Sequence, residues 1–96
     1  MDLSIITVTW NNEKEIARQI ASVFAGCKDV TCEEIIVDSG SSDQTIEIVK
    51  NQFPHVKLIE NKENIGFGAG NNQGLKIAQG EFLLFLNGDM MVEEGS

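Results

Sequence analysis

The run Leu3-Ser-Ile-Ile-Thr-Val-Thr9 is β-branched and apolar almost without a break, so it has little polar face to offer to water. A strand of that kind fits the middle of a parallel sheet that is covered on both sides. Parallel neighbours must be joined by crossovers of a dozen residues or more, usually helices. The rest of the chain supplies them.

Asn12 is expected to cap a first helix with Glu15 three residues on, and Ile16, Ile20, Val23 and Phe24 recur at helical spacing before a stop at Gly26. Glu33-Glu34 lead into a second strand, Ile35-Ile36-Val37-Asp38. Ser39 to Asp43 then form a loop in which Ser42 is the expected cap of a second helix. That helix carries Ile46, Val49 and Phe53 on one face and is closed by Pro54. Val56 to Ile59 makes a short third strand with an alternating polar residue, the pattern of an edge. Gly66 opens a third helix that stops at Gly80, and Phe82-Leu-Leu-Phe-Leu86 is a fourth strand emptying into Asn87-Gly88-Asp89.

The order β-α-β-α-β-α-β predicts an α/β fold of three layers, α/β/α, around a mainly parallel four-stranded sheet. If the second and third strands lie on one side of the first and the fourth on the other, the sheet order is 3-2-1-4. The crevice then falls between the first and fourth strands, where Trp10, Asp38 and Asp89 converge.

Ninety-six residues allow one domain, residues 1–96, with a modest core. Fifteen acidic against seven basic residues, with the basic ones scattered, disfavour nucleic acid and anionic membrane surfaces as partners. No apolar run approaches the roughly 20 residues of a membrane span. Met1-Asp2-Leu3 lacks the basic start of a signal peptide, so a cytoplasmic location is expected. Cys27 and Cys32 are separated by four residues, with no histidine near and no CxxC spacing, which gives no support to zinc or thioredoxin-type chemistry. They read as two incidental thiols beside a loop, with a local disulfide as the alternative. Val92 to Ser96 looks like the approach to another helix, so a longer parent chain is expected. The open edge left at the Phe82 strand is a candidate surface for pairing with a second copy.

Gly66, Gly68 and Gly70 do not make GxGxxG and follow the third strand rather than the first, and no Gly-Lys-Ser or Gly-Lys-Thr occurs. Nicotinamide-binding and P-loop readings are therefore disfavoured. A receiver-like phosphoacceptor module needs a cluster of acids after the first strand, and here that strand ends in Thr9-Trp10-Asn11. Asp38 and Asp89, each at a strand end, can accept hydrogen bonds from a ribose or base or hold a hard divalent cation. An acid after a strand is also a common turn residue, and Trp10 is either a core aromatic or a ring placed to stack on a base.

Four segments, Ile5 to Asn11, Ile36 to Asp43, Asn64 to Gly74 and Phe85 to Asp89, resemble in order and spacing the amino-terminal half of family-2 glycosyltransferases of the GT-A fold. The likeness is nearest to the rhamnosyltransferase-like branch. It implies a Rossmann-like GT-A half-domain that binds a nucleotide-sugar donor, a UDP- or dTDP-sugar. Thr9 and Trp10 would then line the base pocket, Asp38 would hydrogen-bond the base, and Gly66 to Asn71, with Gly70 among them, would close over the nucleoside. Asn87-Gly88-Asp89 stands where the family has its DxD-type motif, with Asn87 in place of the first acid. Asp89 would hold Mg²⁺ or Mn²⁺ against the donor diphosphate. The resemblance further implies a parent enzyme, placed at the inner face of the membrane, that transfers the sugar with inversion to a glycan or cell-surface acceptor. Its catalytic base and acceptor pocket lie in the carboxyl-terminal half, so the 96 residues are expected to be inactive alone.

Overall fold

In the computed structural model, residues 2–27 and 29–87 are described, Asn87 by its backbone only. The elements are β1 (Leu3–Thr9), α1 (Ile16–Gly26), β2 (Cys32–Ser39), α2 (Thr45–Gln52), β3 (Lys57–Asn61), α3 (Gly66–Ile77) and β4 (Phe82–Asn87). The four strands form one sheet in the order β3-β2-β1-β4, with every neighbouring pair parallel. This is the expected architecture.

Alternation along the strands divides the core into two layers. Ile6 and Val8 of β1 and Ile35 and Val37 of β2 form one cluster on the α3 side. On the opposite face Ile16 and Ile20 of α1 and Val49 of α2 pack on Ile36, and Val23 packs on Ile5 and Leu86. Each isoleucine buried in these layers removes about 1.5–3 kcal/mol worth of apolar surface from water relative to an exposed one.

α3 comes unusually close to the sheet because it presents glycines to it. A Cβ on Gly70 would lie 2.8 Å from Val8 Cγ2, and one on Gly74 would run into Ile6. Gly80 is held in the same way, its amide donating to Ser4 Oγ at 2.7 Å.

Several local expectations are revised. β2 begins at Cys32, so Glu33 and Glu34 lie inside the strand and are buried. Glu33 is matched by Lys57 Nζ at 2.7 Å, Ser4 Oγ at 2.6 Å and the Gln79 amide at 2.8 Å. Glu34 has no such cation among the described residues, and its Oε2 accepts from Thr7 Oγ1 at 2.6 Å. Asn12 does not cap α1 through its side chain. Its backbone carbonyl accepts from the amides of Glu15 and Ile16, while its Oδ1 turns back towards the end of β1. At the start of α2 it is Asp43, not Ser42, that accepts from the backbone amide and hydroxyl of Thr45. β3 starts one residue later than expected, at Lys57.

Candidate functional site

β1 and β2 end side by side, and their register pairs Thr9 with Asp38. Both side chains therefore stand on the same face at the carboxyl end of the sheet, where ligands of open α/β sheets bind. They form the floor of the site, since Thr9 is 1% and Asp38 0% exposed. Thr9 Oγ1 donates to Asn12 Oδ1 at 2.7 Å. Asp38 Oδ1 accepts from Ser41 Oγ at 2.6 Å and Oδ2 from the Ser41 amide at 2.9 Å. Trp10, the next residue after Thr9, is half exposed.

The loops above this floor are tied to one another. Asn11 sits in the left-handed region, φ 50°, a conformation that asparagine tolerates better than most residues. From there its amide donates to Ser41 Oγ at 2.9 Å and its Oδ1 accepts from the Ser42 amide at 2.8 Å. Asn12 and Glu13 extend the seam, their amides donating to Thr45 Oγ1 at 3.0 Å and Asp43 Oδ2 at 3.2 Å. Burial pushes the Asp43 carboxyl up, but hydrogen bonds from Thr45 and the Glu13 backbone outweigh it and hold the group below its ordinary value.

The β3–α3 loop joins from the other face. Ser39 Oγ donates to Asn64 Oδ1 at 3.0 Å and accepts from the Ile65 amide at 2.9 Å, and Asn64 Oδ1 also accepts from the Gly66 amide at 2.9 Å. Gly40, φ 78°, lies so close to this loop that a Cβ would meet the Glu63 carbonyl carbon at 2.6 Å. Asn61 Nδ2 reaches the Asp38 carbonyl oxygen at 3.0 Å and Gln73 Oε1 at 2.8 Å.

The glycine-rich segment is divided in its surroundings. Gly66, φ 82°, and Gly68 have open space where a Cβ would be, whereas Gly70 is buried against Val8. Asn71 is half-buried, and its Oδ1 is a buried acceptor without a protein donor. In β4 the backbone of Asn87 is in register with Val8, one position before Thr9. Asp89 lies outside the described residues, as do Val92 to Ser96.

Thr9, Trp10 and Asp38 are thus brought together, with Asn87 beside them in register and Gly66 linked through Asn64 and Ser39. Asn11, Ser41 and Asn64, which hold the loops, were not singled out from the sequence. The available signal was their type, short side chains that bond locally to backbone. Among the described residues no group of three His, Cys, Asp or Glu side chains is placed to hold a metal ion. His55, on the far side of α1, packs edge-to-face on Phe24 at 5.0 Å. No helix among the described residues is long and apolar enough to cross a membrane.

The profile of the family described as Glycosyl transferase family 2 matches residues 4–96. Poly(ribitol-phosphate) beta-N-acetylglucosaminyltransferase TarP of Staphylococcus aureus is 32% identical over 96 residues, which cover 96% of this chain and 29% of that protein. The crystal structure of S. aureus TarS 1-349 in complex with UDP-GlcNAc aligns with a TM-score of 0.80 at 35% identity, covering 93% of this chain and 27% of that one. Mannosyltransferase PcManGT from Pyrobaculum calidifontis, in complex with GDP-Man and Mn²⁺, aligns with a TM-score of 0.80 at 25% identity, with 93% and 28% covered. The chain spans from 24% to 36% of the length of the first four curated relatives that it matches.

Proposed function

The chain belongs to glycosyl transferase family 2, and from that premise we propose that it is the amino-terminal nucleotide-sugar-binding domain of a longer glycosyltransferase. The observation that carries this reading is the pairing of Thr9 with Asp38 at the mouth of a parallel sheet, with an exposed Trp10 as the next residue of the chain. Trp10 and Thr9 line the base and Asp38 accepts a hydrogen bond from it. A carboxylate has about four lone-pair positions, so the two bonds from Ser41 leave it further capacity. Because Asp38 has no exposed surface, base binding requires the Ser41 turn to shift.

Gly66, Gly70 and Asn71 close over the nucleoside, Gly66 through its open side and Asn71 through its unpartnered Oδ1, while Gly70 keeps α3 tight on β1. Asn87 and Asp89 are assigned to the donor diphosphate. The described residues form no cation cage of their own, so Mg²⁺ or Mn²⁺ would rest on Asp89 and on donor oxygens, a hard ligand set that suits either ion. When bound, the ion neutralises charge on the diphosphate leaving group. The acidic chain, with a net charge of -8, is a poor host for a bare diphosphate.

The donor is a UDP- or dTDP-sugar, and the parent transfers the sugar with inversion to a glycan or cell-surface acceptor at the cytoplasmic side of the membrane. Assignment to a rhamnosyltransferase-like branch rests on motif spacing. The catalytic base and acceptor pocket belong to the rest of the parent, so these 96 residues bind donor without turning it over.

Calorimetric titration of UDP and dTDP, each with and without Mn²⁺, tests the reading on the wild type, Asp38→Asn and Asp89→Ala. Manganese-dependent binding that is lost in Asp89→Ala and weakened in Asp38→Asn is expected. Binding indifferent to both substitutions would overturn the site.

A second reading, compatible with the first, is self-association through β4. Phe82 is 70% exposed, and Leu83, Leu84 and Phe85 are open on both faces of a strand that ends the sheet among the described residues. An apolar edge with free backbone donors and acceptors is a template for another strand.

A further inference from the structure

The opposite end of the sheet holds a pair of groups that the donor site does not use. Cys27 follows the last residue of α1 and Cys32 is the first of β2, with four residues between them. Both pack on the same buried cluster, Ile5, Val23 and Leu86, and their thiols lie within hydrogen-bonding contact of each other. Neither is in a disulfide. The sequence alone made a chance pair of loop thiols the plainer reading, but α1 and β2 bring both cysteines to the same buried cluster.

We propose that Cys27 and Cys32 form an oxidisable dithiol that closes into an intramolecular disulfide by exchange with a small-molecule disulfide. The two cysteines have separate parts in this step. Burial, reinforced by the contact with Cys27, pushes the Cys32 thiol up to about 12, so Cys32 is a poor first nucleophile. Cys27 therefore attacks. Its thiolate displaces one thiolate from the small disulfide, leaving a mixed disulfide on Cys27. Cys32 then gives up its proton to the departing thiolate, and its sulfur attacks the Cys27 sulfur. The Cys27–Cys32 bond forms and the second small thiol leaves. Two protein thiols are oxidised by two electrons while one small disulfide is reduced to two thiols.

The bond would tie the end of α1 to the start of β2. Cys32 pairs in register with Leu3, six residues from Thr9. At about 3.3 Å per residue the pair lies roughly 20 Å from the floor of the donor site, so oxidation acts on the stability of the helix–strand corner and not on nucleotide contacts.

Incubation with oxidised glutathione at pH 8, trapping with N-ethylmaleimide and intact-mass measurement test this on the wild-type chain, Cys27→Ser and Cys32→Ser. The wild type is expected to lose about 2 Da, take up no maleimide and stay monomeric on a non-reducing gel. Its unfolding midpoint should rise by roughly 5 °C or more relative to the reduced form. Cys32→Ser should instead stop at a glutathione adduct on Cys27, whereas Cys27→Ser should stay largely unmodified. A wild type that carries stable glutathione adducts, or that forms only intermolecular disulfides, would overturn the proposal even if either variant failed to fold.

Discussion

Thr7 Oγ1 donates a 2.6 Å hydrogen bond to Glu34 Oε2 inside the sheet, and Gln19 Nε2 donates to the same threonine oxygen at 3.2 Å. Among the described residues no cation joins this group. Glu34 Oε1 and Gln19 Oε1 are both buried acceptors without a donor. Burial raises the Glu34 carboxyl from 4.5 to about 7, with the Thr7 and Gln19 bonds opposing the rise. A proton on Glu34 supplies the donor that this cluster of acceptors lacks.

The sign of the resulting pH dependence follows from the raised value. Below pH 4.5 folded and unfolded chains both hold the proton, and as the pH climbs towards 7 only the folded chain keeps it. The unfolded state then binds fewer protons, so stability falls across that interval by roughly 3 kcal/mol at most. Glu34→Gln should flatten the interval and leave the variant more stable than the wild type above pH 7. Urea melts from pH 4.5 to 8 provide the check, and identical slopes for both proteins would refute it. Glu33 and Asp43 act in the opposite direction, because each is held below its ordinary value despite burial and gives up stability only on stronger acidification.

Gly74→Ala and Gly68→Ala separate close packing from helix propensity. The first drives a methyl group into Ile6, a fully buried side chain with no room to retreat, and should destabilise by about 1–3 kcal/mol. The second meets open space and should be neutral or stabilising by up to about 1 kcal/mol. Thermal melts of the two variants side by side decide the matter, and equal effects would mean that α3 does not rest on β1 through its glycines.

Ser41→Ala removes the hydroxyl that links the Asn11 amide to Asp38 Oδ1. A loss of about 1–3 kcal/mol in stability is expected, since both a buried carboxylate oxygen and an amide lose a partner. UDP affinity should fall as well, because the carboxylate is no longer held in one orientation. A variant with wild-type melting and wild-type titration would show that the tie is dispensable.

Phe82→Lys bears on the open edge. Sedimentation at rising concentration should reveal association of the wild type that weakens by about tenfold or more in the variant, since pairing would bury an ammonium group. A wild type that remains monomeric at high concentration removes the self-association reading.

The strand order 3-2-1-4, which sets the ends of β1 and β2 side by side, was legible because apolar runs, helical spacing and turn residues all agreed on one topology. What escaped was polar and tertiary. Glu33 and Glu34 read as a lead-in to β2, since two adjacent acids argue against a strand until Lys57, Ser4 and Thr7 are seen beside them. Asn12 matched a capping box, yet its side chain serves Thr9 and Trp10 instead, a choice fixed by the loop from β2 that crosses next to it. The glycines of α3 suggested a ligand, whereas Gly70 and Gly74 meet the central strand, a distinction that depends on which way the helix is turned.

The position of β1 has a consequence for synthesis. It precedes every other strand yet lies inside the sheet, and Leu3 finds its β4 partner in Phe82, seventy-nine positions later. A nascent chain leaving the ribosome can assemble β1, α1, β2 and α2 early, but one edge of β1 stays bare until β4 emerges. That interval is when a chaperone has the most to shield.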